Sequence, residues 1–202
     1  KMDSISLGSS LLFTTLHGGA APFQTSLVGG VALVQVVTGI EHIFKDPPNW
    51  VRKGARVGML VHPASVDSGL IHVVERFQKT FPGALKALFG PQHGLWGEKQ
   101  DNMILSPHEG PTQWGVPAFS LYGETLRPTE EMLSGIDVLL VDLQDVGCRV
   151  YTFAATVLAC MEECAQHGVQ VVVADRPNPI GGFSVEGNLL DPSLESFVGP
   201  HA

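Results

Sequence analysis

Residues 137–152, DVLLVDLQDVGCRVYT, constrain the fold most strongly. Val138-Leu139-Leu140-Val141 is an apolar run too short for a helix and suited to a strand covered on both faces. It stops in a cluster of hydrogen-bonding side chains, Asp142, Gln144, Asp145, Arg149 and Tyr151, and Thr152 leads into a helical stretch, TFAATVLACMEECAQHG. Strand, polar turn and helix make half of a βαβ unit, and in open parallel sheets ligands bind beyond the carboxyl ends of the strands. For any one of these residues alone, the plainer role is capping the next helix, with Asp142 and Asp145 pairing to Arg149. Five together in so short a turn favour a site.

The same event recurs along the chain. The run 56–61 (RVGMLV) ends at His62-Pro63, and 85–89 ends at Gly90-Pro91-Gln92-His93-Gly94. The run 169–174 (VQVVVA) ends at Asp175-Arg176-Pro177-Asn178. Helical patterns lie between these strands. Residues 39–46 predict a short helix stopped by Pro47-Pro48. Residues 69–80 place Leu70, Val73, Val74 and Phe77 at helical spacing. Residues 128–133 open with proline and acids, as helix starts do, and Gly168 closes the long helix. A short strand is predicted at 116–121. Strands alternating with helices argue for an α/β fold with a parallel sheet and right-handed crossovers, which would bring all four polar turns to one edge.

Composition narrows the function. The chain has 202 residues, enough for one domain or a domain with an appendage, and is 44% hydrophobic and 16% charged, hence globular. A net charge of -8 without a basic cluster argues against nucleic acid. Three cysteines give no disulfide framework; Cys160 and Cys164 share a helix face in poor geometry for a bridge and read as buried thiols. Between Asp3 and Glu41 there is no charged residue, and the apolar runs there are interrupted by Gly18-Gly19, Pro22 and Gly29-Gly30. Neither run reaches the roughly 18–20 residues that span a bilayer. Lys1 and Ala20-Ala21 imitate a secretory signal only loosely. Residues 1–38 are therefore expected to be a poorly ordered leader, with the folded domain over 39–202 and no membrane span.

No GxxxxGK[ST] occurs and no GxGxxG follows the first strand, so a nucleotide cofactor is unsupported. His62, His93, Asp142, Asp145 and Asp175 could be imagined around a metal, but no HExxH-like pair organises them, and neither metal nor cofactor is expected. The GxSxG elbow of a serine hydrolase is missing. Residues 94–116 are polar, aperiodic and long for a connection, as an active-site loop would be. Acid/base chemistry by carboxylates, histidine and tyrosine, or plain ligand binding, remains.

Several motifs in chain order carry a resemblance: LFGPQHGLWGE (88–98), SLYGETLRPTEEML (120–133), DLQDVGCRVYT (142–152), DRPNPIGG (175–182) and VEGNLLDPSLESFVG (185–199). Together they resemble the bacterial exo-β-N-acetylmuramidase family, glycosidases that release N-acetylmuramic acid from the non-reducing ends of peptidoglycan fragments. The resemblance spans roughly 38–199. It implies a Rossmann-like domain, an open, mostly parallel sheet with helices on both faces, followed by a carboxy-terminal domain that this sequence lacks. It also implies a peptidoglycan-derived sugar or muropeptide as partner and a periplasmic or secreted location, for which the export signal here is unconvincing. The family's catalytic pair is a glutamate in a PEHG-type motif and a tyrosine in an RxYT-type motif. The tyrosine falls on Tyr151; the glutamate position falls on Gln92, which can donate a hydrogen bond to a glycosidic oxygen but cannot release a proton to it. Glu98, in the same loop, is the first candidate for the missing acid and Asp145 the second; Glu98 as a solvated loop charge is the alternative. Asp145 or His93 would polarise Tyr151. Arg149 or Arg176 would meet the lactyl carboxylate, unless they form buried pairs with Asp145 or Asp175. His62, Asp142, Gln144, Asp175 and Asn178 complete the expected sugar-binding rim. The alternative to a glycosidase is a non-catalytic amino-sugar or muropeptide-binding protein.

Overall fold

The computed structural model describes residues 2–7, 11–16, 23–28, 31–95, 97 and 112–200. Five parallel strands form the sheet that positions the polar turns. They are β5 (Val57–Val61), β6 (Leu85–Gly90), β7 (Ala118–Ser120), β8 (Val138–Asp142) and β9 (Gln170–Ala174), in the spatial order β7-β6-β5-β8-β9. From β5 the chain steps outward through β6 and β7, then returns to the other flank for β8 and β9. This is the 3-2-1-4-5 strand order of a doubly wound Rossmann-like sheet, and its topological switch point lies between β5 and β8.

Ahead of this unit, four six-residue strands occupy the region predicted as a leader: β1 (Met2–Leu7), β2 (Leu11–Leu16), β3 (Phe23–Val28) and β4 (Val31–Val36). β2 runs parallel to β9 and β1 antiparallel to β2, while β3 and β4 pair separately. Their richness in Val, Leu and Thr suits a pleated backbone.

The helices are α1 (Gly39–Lys45), α2 (Asn49–Arg52), α3 (Val73–Thr80), α4 (Glu130–Leu133) and α5 (Phe153–Gln166), with a 3-10 turn at Pro192–Leu194. They cover both sheet faces. Ile40 and Ile43 of α1 and Val73, Val74 and Phe77 of α3 pack with Met59, Val61 and Leu140. On the opposite face, Met132 and Leu133 of α4 and Cys160 and Cys164 of α5 pack with Leu60, Leu139 and Val141. Neighbouring residues of β8 thus serve different cores, as the two-residue period of a strand requires. Burial raises both thiols, Cys164 to about 12, so they behave as small hydrophobes.

Two local features differ from expectation. The helix predicted at 69–80 begins only at Val73, because the Asp67 carboxylate accepts from the amides of Gly69 and Ile71 and turns the chain first. Leu70, expected on its buried face, is 81% exposed with φ 59°. Pro47-Pro48 not only ends α1 but also starts α2, a turn the sequence pattern did not predict.

Candidate active site

All five strands end on the same edge, so the four polar turns share one rim. After β5, the His62 amide donates to Ser65 Oγ (3.0 Å), and the Ser65 hydroxyl donates to the carbonyl of Asp142 at the tip of β8. The switch point is therefore stitched directly across. His62 Nδ1 accepts from the Ala64 amide (3.3 Å), leaving Nε2 to carry the proton of the neutral ring. Burial, reinforced by nearby His93 and His72, lowers His62 to about 4, so its imidazole is neutral near pH 7. His72 sits beneath it, its Nε2 within 3.2 Å of the His62 carbonyl.

Asp142 and Arg176 are brought together, but by each other. Arg176 Nε and Nη2 donate to the two carboxylate oxygens at 2.8 Å each, and Nη2 also donates to the Val66 carbonyl at 2.8 Å. Asp142 has no exposed surface and the Arg176 side chain is 8% exposed. Burial pushes the Asp142 carboxyl up, with the guanidinium pulling against it. The pair clamps the tips of β8 and β9 to the loop after β5. The expected buried arginine pair thus exists with Asp142 as its partner, not Asp145 or Asp175, and neither Asp142 nor Arg176 faces the rim as a ligand contact.

The β8 and β9 turns are knitted by the remaining predicted residues. Gln144 Nε2 donates to the carbonyls of Asp145 (2.7 Å) and Pro177 (3.0 Å). The Asp145 carboxylate accepts from the Gly147 amide (2.9 Å) and from Asn178 Nδ2 (3.1 Å). Gly147 has φ +72°, and a Cβ there would lie 2.6 Å from Ile180 Cδ1 and 2.9 Å from Asn178 Oδ1, so only glycine permits this approach. Asp175 is exposed, and its carbonyl accepts from the Gly39 amide (2.8 Å), tying α1 to β9. Arg149 is also exposed and donates to the Asn188 carbonyl (2.7 Å), holding the segment after β9 against the β8 turn.

The amino terminus of α5 reaches the other side of the rim. Thr152 Oγ1 donates to Gln92 Oε1 at 2.9 Å, joining the β6 turn to α5 across sixty residues. Phe153 stands between His62 (ring centroids 5.0 Å) and Tyr151 (4.6 Å). Tyr151 is half-buried; burial and then the charge of Asp145 raise its phenol above the usual range, so the hydroxyl stays protonated near pH 7. Gln92 is followed by His93 at φ 75°, a left-handed conformation uncommon outside glycine that marks a constrained turn. Glu98 and most of the 94–116 loop lie outside the described residues.

A cavity of about 260 Å³ opens elsewhere, along α5, between Leu126, Arg127, Leu158, Glu162 and Phe197. No rim residue lines it, its walls are mainly apolar, and Arg127 is engaged by Glu162 and Glu163. Its volume exceeds what its chemistry supports; the rim is where polar side chains from several strand tips converge.

Residues 57–202 match the protein family described as "Exo-beta-N-acetylmuramidase NamZ, N-terminal". The chain belongs to the NamZ exo-β-N-acetylmuramidase family. It is similar to the peptidoglycan β-N-acetylmuramidase NamZ of Bacillus subtilis, 41% identical over 165 residues, covering 82% of this chain and 39% of the relative. Two solved DUF1343 family proteins of Bacteroides fragilis share the fold. One is 39% identical with TM-score 0.68, and the other is 29% identical with TM-score 0.62; each comparison covers 81% of this chain and 40% of the solved chain. The chain thus spans about two-fifths of the length of these relatives.

Within this NamZ-family fold, three residues that hold the rim together escape sequence inspection. Ser65 bridges β5 and β8, His72 supports His62, and Phe153 separates His62 from Tyr151. Ser65 had a signal, since it lies in the polar turn HPASVDSG directly after β5. His72 and Phe153 look like ordinary helix-start residues until the strands are placed in order.

Proposed function

We propose that this chain is the amino-sugar-binding, Rossmann-like domain (residues 39–202) of a glycoside hydrolase that releases N-acetylmuramic acid from non-reducing ends of peptidoglycan fragments. The observation that carries this reading is the hydrogen bond from Thr152 to Gln92 at the carboxyl rim, which ties the position matching the family's PEHG-type motif to the residue that follows Tyr151 in the RxYT-type motif. The sugar lies over the tips of β5, β6 and β8. Tyr151 faces the anomeric carbon, a role for which tyrosine is an established alternative to a carboxylate nucleophile. A neutral phenol is a poor nucleophile, so attack requires its proton to leave; Asp145, whose charge acts on Tyr151, takes it under this reading. Neutral His62 lines the floor, with His93 beside it. The exposed Arg149 guanidinium suits the lactyl carboxylate, with Asp175 and Asn178 at the far edge.

Gln92 favours a second reading, in which the rim binds a muropeptide without turnover. An amide donates to the leaving oxygen but cannot protonate it, and general acid catalysis is worth about 10²–10⁴-fold. Glu98 supplies the acid under the first reading. Release of a chromogenic aglycone from an N-acetylmuramic acid glycoside separates the two. Under the first reading wild type turns over, Tyr151→Phe does not, and Glu98→Gln slows the reaction at least 10²-fold. Saturable binding of the sugar, with turnover appearing only in Gln92→Glu, would establish the second. Absence of both binding and turnover would sink the proposal.

A further inference from the structure

Thr152 occupies the N-cap position of α5, where a threonine ordinarily turns its hydroxyl onto the amides of the first helical turn. Here it makes no such bond: its backbone is already helical, at φ -67° and ψ -11°, and the side chain turns away from the helix. The hydroxyl proton goes to Gln92 Oε1 at 2.9 Å. Thr152 is buried, so this partner is not readily exchanged for water, and its own carbonyl is held by the Thr156 amide (2.9 Å) and hydroxyl (3.1 Å). Among the described residues, no protein group accepts from Gln92 Nε2.

We infer that Thr152 is a positioning residue for the Gln92 side chain: it holds Oε1 inward and thereby presents the Nε2 amide to the crevice as a fixed hydrogen-bond donor. A glutamine amide otherwise flips between donor and acceptor faces at little cost. The Thr152 hydroxyl could also accept from Nε2, but its proton has no other acceptor among the described residues, so the arrangement with Oε1 inward satisfies it and leaves Nε2 outward. The rim at position 92 therefore selects an acceptor oxygen, and a ligand offering a donor there leaves two N–H groups opposed. For a muramic acid ligand, which rests on the function proposed above, the acceptor is the glycosidic or ring-hydroxyl oxygen nearest the β6 turn. In a Gln92→Glu variant the same hydroxyl donates to the carboxylate and favours its ionised form, lowering the pH at which residue 92 could serve as an acid.

The test uses exchange and chemical shift in the 202-residue chain, followed by titration with N-acetylmuramic acid. In wild type, the Thr152 hydroxyl proton should be protected from solvent exchange while the Gln92 Nε2 protons exchange freely. Protected Nε2 protons with a fast-exchanging Thr152 hydroxyl would mean the amide faces the other way and would overturn the inference. Thr152→Ser should leave the Gln92 Nε2 resonances near their wild-type positions, whereas Thr152→Val should move them towards those of free glutamine. Unchanged resonances in Thr152→Val would also overturn it. Should Thr152→Val fail to fold, the wild-type exchange pattern and the serine variant still decide. With the sugar, Thr152→Val should bind about tenfold more weakly, Thr152→Ser within about twofold of wild type, and Thr152→Val should add no loss in a Gln92→Leu background. Equal affinity of Thr152→Val and wild type would refute the donor role. No binding by wild type would count against the muramic acid reading, while the Gln92 spectrum would still judge Thr152.

Discussion

Replacing Arg176 by methionine removes one half of the most buried ion pair in the described structure. Arg176 makes two 2.8 Å bonds to Asp142 and one to the Val66 carbonyl, and Asp142 has no contact with solvent. Deleting one member of such a pair leaves a charge without a partner in a low-dielectric setting, a loss of about 3–5 kcal/mol. For a chain of this size, each kcal/mol corresponds to about 2–4 °C, so Arg176→Met should lower Tm by about 6–20 °C. Asp142→Leu should behave similarly. The double variant restores electrical neutrality and fills similar volume, leaving mainly the Val66 carbonyl without its donor. It should lose only about 1–2 kcal/mol. Urea unfolding of the two single variants and the double, followed by circular dichroism, measures all three. The reasoning fails if either single variant loses less than about 1 kcal/mol, or if the double loses the sum of both.

Three further outcomes follow from the rim geometry. His62 is lowered to about 4 from an ordinary 6.5, so on acidification the unfolded chain binds that proton first. Stability is fully present above pH 6.5 and is lost as pH falls towards 4, by about 1–2 kcal/mol after allowing for the half-exposed ring; His62→Asn should flatten this part of a pH-dependent melting curve. Ser65→Ala should cost about 1–3 kcal/mol in denaturant unfolding, because it leaves the buried Asp142 carbonyl and the His62 amide without their shared hydroxyl. Gly147→Ala combines a left-handed φ with contact against Ile180 and Asn178, so it should lower stability by about 1–3 kcal/mol in thermal melts and weaken sugar binding by loosening Asp145. An unchanged Tm would show that the β8 and β9 turns are not packed as described.

The strands were legible because each is a short apolar run ended by polar residues, and burial on both faces leaves little else for such a run to do. The common rim followed from parallel topology alone. Partners were less legible, because pairing across the rim is settled by strand order and not by sequence distance. Arg176 could as well have met Asp145 or Asp175, and it was the adjacency of β8 and β9 that gave it Asp142. The link from Thr152 to Gln92 is hidden for the same reason: sixty residues separate them, and a threonine before a helix reads as a cap. The late start of α3 shows side-chain competition for backbone amides, where the Asp67 carboxylate takes two amides that a helix from residue 69 would have used differently. The strands β1 to β4 fall in the stretch whose lack of charge suggested a leader.

The most direct measurement is a backbone chemical-shift map of the chain during titration with N-acetylmuramic acid. The account predicts saturable shifts concentrated at the carboxyl tips of β5, β6 and β8, at His62, Gln92, Asp145 and Tyr151. Shifts centred instead on Leu126, Leu158 and Phe197 along α5, or no saturable shift at millimolar sugar, would contradict it.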